Sequence, residues 1–155
     1  MQLYVETPVF DDFTLSEQLG CKISLKMDCF QPTGSFKIRG IGLFCQQAKL
    51  DGIQELICAS GGNAGMATAY AGRKLGMKVT IVVPKTTKES VCAKIRGYGA
   101  TVLVNGAVWD ETAVYAKSLA QLKKVGTFPL LMILCFGKDM PLLLMNWYSK
   151  LKSQI

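Results

Sequence analysis

The chain has 155 residues, half of them hydrophobic, which excludes wholesale disorder and suits a single domain. It contains no His, which removes Ser-His-Asp and Cys-His nucleophile systems, His-based zinc enzymes and imidazole proton shuttles. The net charge of +7 comes from scattered Lys and Arg without an arginine-rich tract, so an anionic small ligand is expected and nucleic acid is not.

The N-terminal residues MQLYVETPVFDDF lack a charged stretch followed by an apolar core, so a signal peptide is not expected. Residues 22–27 (KISLKM) alternate polar and apolar like a half-buried strand, and QPTG follows as a turn. Residues 35–48 read as a helix with apolar Phe36, Ile38, Ile41, Leu43, Phe44 and Cys45, weakened by Gly40 and Gly42. Residues 55–59 (ELICA) form a short strand that runs into SGGNAG. Asn63 is placed to cap the next helix, which stops at Gly76. A β-branched strand over 78–83 closes at Pro84. A helix over 87–97, a strand over 101–104 and a helix over 109–124 complete the pattern.

This β-α-β-α-β-α-β-α order predicts an α/β fold, an open parallel sheet with helices on both faces. Ligands bind such sheets beyond the carboxyl ends of the strands, where SGGNAG lies. The six cysteines never occur as CxxC or at zinc-finger spacing, and Cys45 and Cys58 sit among apolar neighbours as small hydrophobes. No apolar run reaches about 18 residues. A reduced, soluble, cytoplasmic protein with no metal site and no membrane span is expected.

Two segments stand out chemically. In QPTGSFKIRG, Lys37 opens a helix, whose partial positive charge disfavours an ammonium and favours a neutral, nucleophilic amine suited to Schiff-base chemistry. A solvated lysine in a first helical turn is the plain alternative. In SGGNAG, glycines let a ligand approach the backbone, and free N–H groups at the helix start make an anion site to which Ser60 and Asn63 add donors. The plain alternative is a glycine-rich turn with an Asn cap. The segment is neither a Walker A loop nor GxGxxG.

Taken together, KMDCFQPTGSFKIRGIG and SGGNAGMATAYAGRKLG resemble the L-serine dehydratase / L-threonine deaminase family of fold-type-II pyridoxal-phosphate enzymes. TPV near the N-terminus, TIVVP and GATVLVNGAVWDE add to the likeness, which runs from about Thr7 to Lys124. It implies pyridoxal 5′-phosphate as cofactor and L-serine or L-threonine as substrate. Lys37 would carry the Schiff base and move the substrate's Cα proton, with Phe36 packed on the pyridine ring. Asn63 would bond the cofactor's 3′-oxygen, and Ser60, Gly61, Asn63 and Ala64 would hold the substrate carboxylate. The implied reaction is β-elimination of L-serine to pyruvate and ammonia, and of L-threonine to 2-oxobutanoate. Full-length members would be homodimers. Residues 1–34 would be a strip of the family's large domain and 35–124 its small α/β domain.

Residues 125–155 break the pattern. Of these 31 residues 18 are apolar, and Pro129, Gly137 and Pro141 interrupt the runs, so a buried strand or short hairpin is expected. The family should supply here a second glycine-rich loop for the cofactor phosphate and a Ser or Cys facing the pyridine nitrogen. The segment's glycines are Gly126 and Gly137. Back-translated and read displaced by two nucleotides, residues 125–146 yield G-W-Y-I-P-P-F-D-D-P-L-F-W-E-G-H-A-S-L-V-D-E-L, similar to the family's next segment. The expectation is a truncated chain, frameshifted at about residues 121–124, with weak cofactor binding and little or no lyase activity.

Overall fold

Residues at alternate positions of three short segments divide between two cores, and this division sets the architecture. The computed structural model describes residues 1–123, so the predictions for the apolar tail lie outside the described residues. In chain order the elements are β1 (Val9–Asp11), α1 (Phe13–Leu19), β2 (Ser24–Lys26), α2 (Lys37–Leu50), β3 (Glu55–Ala59), α3 (Asn63–Leu75), β4 (Lys78–Val83), α4 (Glu89–Gly97), β5 (Thr101–Val104) and α5 (Trp109–Leu122).

Strands β3, β4 and β5 form a parallel sheet in that order, with Leu56 opposite Val79 and Ile81 opposite Val102. Leu56, Cys58, Val79, Ile81 and Val83 join Ile38, Ile41, Ala67, Ala71 and Ile95 of α2, α3 and α4 in the larger core. The intervening residues Ile57, Ala59, Val82 and Leu103 pack against Ala113 and Ala116 of α5. The predicted sheet with helices on both faces is therefore present, with three helices on one face and one on the other.

Small residues bring α3 close to the sheet. Its buried face includes Ala64, Gly65, Ala67, Thr68, Ala71 and Gly72, and a Cβ on Gly72 would overlap the Val79 methyl. Gly76, at φ 66°, ends the helix in the left-handed conformation that glycine adopts without strain. Helix α2 buries Ile38, Ile41, Gly42, Cys45 and Ala48, while Phe36 and Leu43 are exposed. Gly42 has a packing reason: the Leu3 side chain rests against it, 3.2 Å from where a Cβ would stand.

Three expectations need correction. The 22–27 segment is not part of the parallel sheet. Its residues Ser24–Lys26 pair antiparallel with β1 in a separate, exposed ribbon. Helix α1 makes this possible, capped by Asp12, which accepts from the Leu15 N–H at 2.9 Å, and ended by Gly20 at φ 63°. Alternation identifies a strand but does not name its partner. Helix α2 starts at Lys37 and not at Ser35, because Gly34 at φ 74° keeps the chain in a turn. Helix α4 starts at Glu89, since the Thr87 N–H closes a turn onto the Pro84 carbonyl at 3.0 Å.

Among the described residues no helix is long and apolar enough to cross a membrane. The tight approach of α3 to β4 has a measurable consequence. Gly72→Ala places a methyl against Val79, costs about 1–3 kcal/mol of overpacking and lowers the melting temperature by about 5 °C. An unchanged thermal midpoint would contradict this packing.

Candidate active site

The carboxyl ends of the three parallel strands feed three loops, and these loops hold one another. The β5–α5 turn is tied to the sheet by the Asn105 N–H on the Val83 carbonyl, and to the β4–α4 loop by the Lys85 N–H on the Gly106 carbonyl, both at 2.9 Å. The β4–α4 loop in turn reaches the β3–α3 loop, where the Thr87 side chain occupies the space a Gly61 Cβ would need.

The β3–α3 loop carries four of the predicted site residues. Ser60 follows the last residue of β3, Gly61 faces Thr87, and Asn63 and Ala64 open α3. Gly65 lets the helix start directly over the strand end, because a Cβ there would overlap the Ser60 carbonyl oxygen. The N–H groups of Asn63, Ala64 and Gly65 have no carbonyl one turn earlier, so the helix presents donors and partial positive charge at the sheet edge. Gly62 leaves the approach open, with nothing within 4 Å of its missing Cβ. One prediction fails: Gly62 holds the N-cap position and Asn63 is the first helical residue, exposed and making no cap. Its amide is available for another partner.

Lys37 reaches the same edge from α2. The Lys49 ammonium near the end of α2 donates to the Leu75 carbonyl at the end of α3. The two helices thus share an orientation, and their N-termini, Lys37 and Asn63, both face the carboxyl edge. Lys37 is half-buried, and Phe36 before it is 48% exposed. Cys58, two residues before Ser60, senses this lysine. Burial pushes its thiol up to about 11, opposed by the Thr68 hydroxyl and the positive charge of Lys37. Burial likewise pushes Cys45 up to about 12, as expected for thiols that serve as small hydrophobes.

A largely shielded ion pair ties down the turn that precedes Lys37. Arg39 donates from Nε to Asp28 Oδ2 at 3.0 Å and from Nη2 to Asp28 Oδ1 at 2.9 Å. Thr7 Oγ1 and Gln31 Nε2 donate to the same carboxylate at 2.6 and 3.1 Å. Gln31 also pairs with both backbone groups of Val5, at 3.0 and 2.8 Å. The Arg39 guanidinium lies 4.8 Å from the Tyr4 ring centre. Arg39 therefore holds the Asp28 carboxyl well below the usual carboxylate range, assisted by Thr7 and Gln31.

With this geometry in place, comparison with known proteins is decisive. A family model for the pyridoxal-phosphate dependent enzymes matches residues 1–129. The chain belongs to that family. Human L-serine dehydratase/L-threonine deaminase is 50% identical over 119 residues, covering 77% of this chain and 36% of its own length. Human serine dehydratase-like protein is 48% identical over 118 residues, 76% of this chain and 36% of the relative. A fungal L-serine ammonia-lyase from Rhizomucor miehei superimposes with a TM-score of 0.71 at 40% identity, covering 77% of this chain and 38% of that one. The chain thus spans little more than a third of the length of the curated relatives it matches.

The residues present suit one end of a pyridoxal-phosphate molecule. Lys37 and Asn63 each begin a helix, and the backbone at Gly62 is open, with nothing within 4 Å of its missing Cβ. Two buried hydroxyls in the turn before Lys37, Thr33 Oγ1 and Ser35 Oγ, have no hydrogen-bond partner among the described residues. Asp28, Arg39 and Thr87 were not anticipated from the sequence. A charged residue two positions after Lys37, in a helix start that disfavours cations, was the available signal for Arg39 and its partner.

The ion pair makes a pH-dependent contribution of known sign. The folded-state Asp28 value lies below the unfolded one, so the stabilisation is complete above about pH 4 and is lost as the pH falls toward the folded value. Asp28→Asn is expected to cost about 2 kcal/mol at neutral pH and to flatten this acid limb in urea titrations. An acid limb identical to that of the unaltered chain would contradict the pairing.

Proposed function

We propose that this edge is the amino-acid end of an L-serine ammonia-lyase site, acting by β-elimination of L-serine to pyruvate and ammonia and of L-threonine to 2-oxobutanoate. What supports this is that Lys37 and Asn63 open two helices, α2 and α3, joined near their far ends by the Lys49–Leu75 contact, and that the Lys37 charge is felt at Cys58, two residues before Ser60. Pyridoxal 5′-phosphate, when bound, supplies the electron sink that lets the substrate Cα lose its proton. Lys37 Nζ anchors the cofactor and then holds the proton taken from Cα. Phe36 covers the ring, and its half-exposed position leaves a face for packing. Asn63, free of a capping role, donates to the cofactor's 3′-oxygen. Ser60 and the backbone N–H groups of Gly61, Asn63 and Ala64 receive the substrate carboxylate at the positive end of α3. A reducing, cytoplasmic setting is supported by the exposed, unbridged thiols of Cys21 and Cys29.

A second reading is favoured by the composition of residues 125–155. With Gly126 and Gly137 as its glycines, that segment itself supplies no glycine-rich phosphate loop, and residues 1–155 tested by themselves would hold the cofactor weakly and without turnover, as a regulatory or inactive product. One experiment separates the two. The chain and its Lys37→Ala variant are given pyridoxal phosphate and L-serine, and cofactor absorbance and pyruvate are followed together. A Lys37-dependent absorbance change with pyruvate above the variant's background supports the lyase. The same change without pyruvate supports the second reading. An absorbance change that survives Lys37→Ala overturns both.

A further inference from the structure

Trp109 stands at the carboxyl edge outside the residues assigned above. It opens α5, and its indole N–H donates to the Ala59 carbonyl at 3.0 Å. Ala59 is the last residue of β3, only 4% exposed, and the pairing with β4 ends there. A carbonyl in that position needs a donor, because an unsatisfied buried acceptor is destabilising. The next residue in the chain is Ser60.

The turn that carries Trp109 is itself fixed. The Ala107 N–H donates to Glu111 Oε2 at 2.7 Å, and Thr112 Oγ1 donates to the Asn105 carbonyl at 2.7 Å. Gly106, at φ 88°, packs so closely that a Cβ would lie 2.9 Å from both Glu111 Cβ and the Thr112 nitrogen. Thr112 is completely buried. Trp109 therefore projects from a rigid platform, with 45% of its surface exposed at the rim. A side chain recruited only to fill the core would not keep that much exposed while its single polar atom is spent on a strand end.

We infer that Trp109 is a positioning residue for the carboxylate loop. Through the Ala59 carbonyl it fixes the direction in which the chain leaves β3, and so the placement of Ser60 and the first-turn N–H groups of α3. Helix α5 covers the face of the sheet opposite α2, so Trp109 and Lys37 approach the strand ends from opposite sides. Trp109 thus influences carboxylate binding only through the Ser60–Gly65 loop and leaves the anchoring lysine untouched. This rests on the carboxylate role proposed for the Ser60–Gly65 loop.

The test uses the full chain with Trp109→Phe, and with a benzothienylalanine at position 109 that keeps the indole shape and lacks the N–H. Without ligand, amides of residues 60–65 are expected to exchange about tenfold faster in both variants, with α2 amides unchanged. With pyridoxal phosphate bound, L-serine affinity is expected to fall about tenfold while cofactor uptake through Lys37 stays the same. Unchanged exchange at residues 60–65, or an acceleration spread evenly over the sheet, overturns the inference. Faster exchange with unaltered L-serine affinity also overturns it and places the fault in the carboxylate assignment. Absence of L-serine binding by the unaltered chain identifies a failure of the proposed function, while the exchange result still decides whether Trp109 holds the loop.

Discussion

The pairing of Asp28 with Arg39 ties the first turn of α2 to the segment before it, and the position of Lys37 is held by that tie. Arg39 sits in the first turn of α2, where the helix end is electropositive and a lone guanidinium is disfavoured. Asp28 supplies the opposing carboxylate, and both side chains are only 13% exposed. Such a pair offsets its own desolvation only with good geometry and additional hydrogen bonds. Here Arg39 binds through two nitrogens, and Thr7 and Gln31 satisfy more of the carboxylate. Because Gln31 also bonds the Val5 backbone, the first residues of the chain, the turn and the helix are tied to one another.

A second constraint is steric and works at the other side of the edge. Gly65 and Gly72 let α3 lie on the sheet at a distance no side chain would permit, which brings its N-terminus directly over the end of β3. The helix then offers its unpaired N–H groups at the same edge as Lys37. The family's chemistry needs a cation-capable amine and an anion-binding backbone within reach of one small molecule. Under the proposed function, two parallel helices with their N-termini at one edge supply both groups.

The parallel sheet was legible in the sequence because its strands are short, apolar and bounded by Gly, Asn or Pro. The limits of β3, β4 and β5 are those expected over 55–59, 78–83 and 101–104. Lys37 and SGGNAG were legible because each occupies a helix start, a position with its own local chemistry. What the sequence did not disclose depends on partners far apart in the chain. The Ser24–Lys26 segment shows alternation, yet its neighbour Val9–Asp11 is set by the capped turn of α1. The Thr7–Asp28, Asp28–Arg39 and Ala59–Trp109 contacts have no periodic signature. Asn63 misled because its residue type favours a cap, whereas Gly62 took that position.

The central claim is that Lys37, among many lysines, is the one held where pyridoxal phosphate can be anchored opposite the α3 N-terminus. The most direct measurement is borohydride trapping of the chain mixed with pyridoxal phosphate, followed by peptide mass mapping of the modified residue. The label is predicted to concentrate on the peptide containing Lys37. Labelling spread across exposed lysines such as Lys22, Lys78 and Lys88, with Lys37 no more modified than they are, would contradict it.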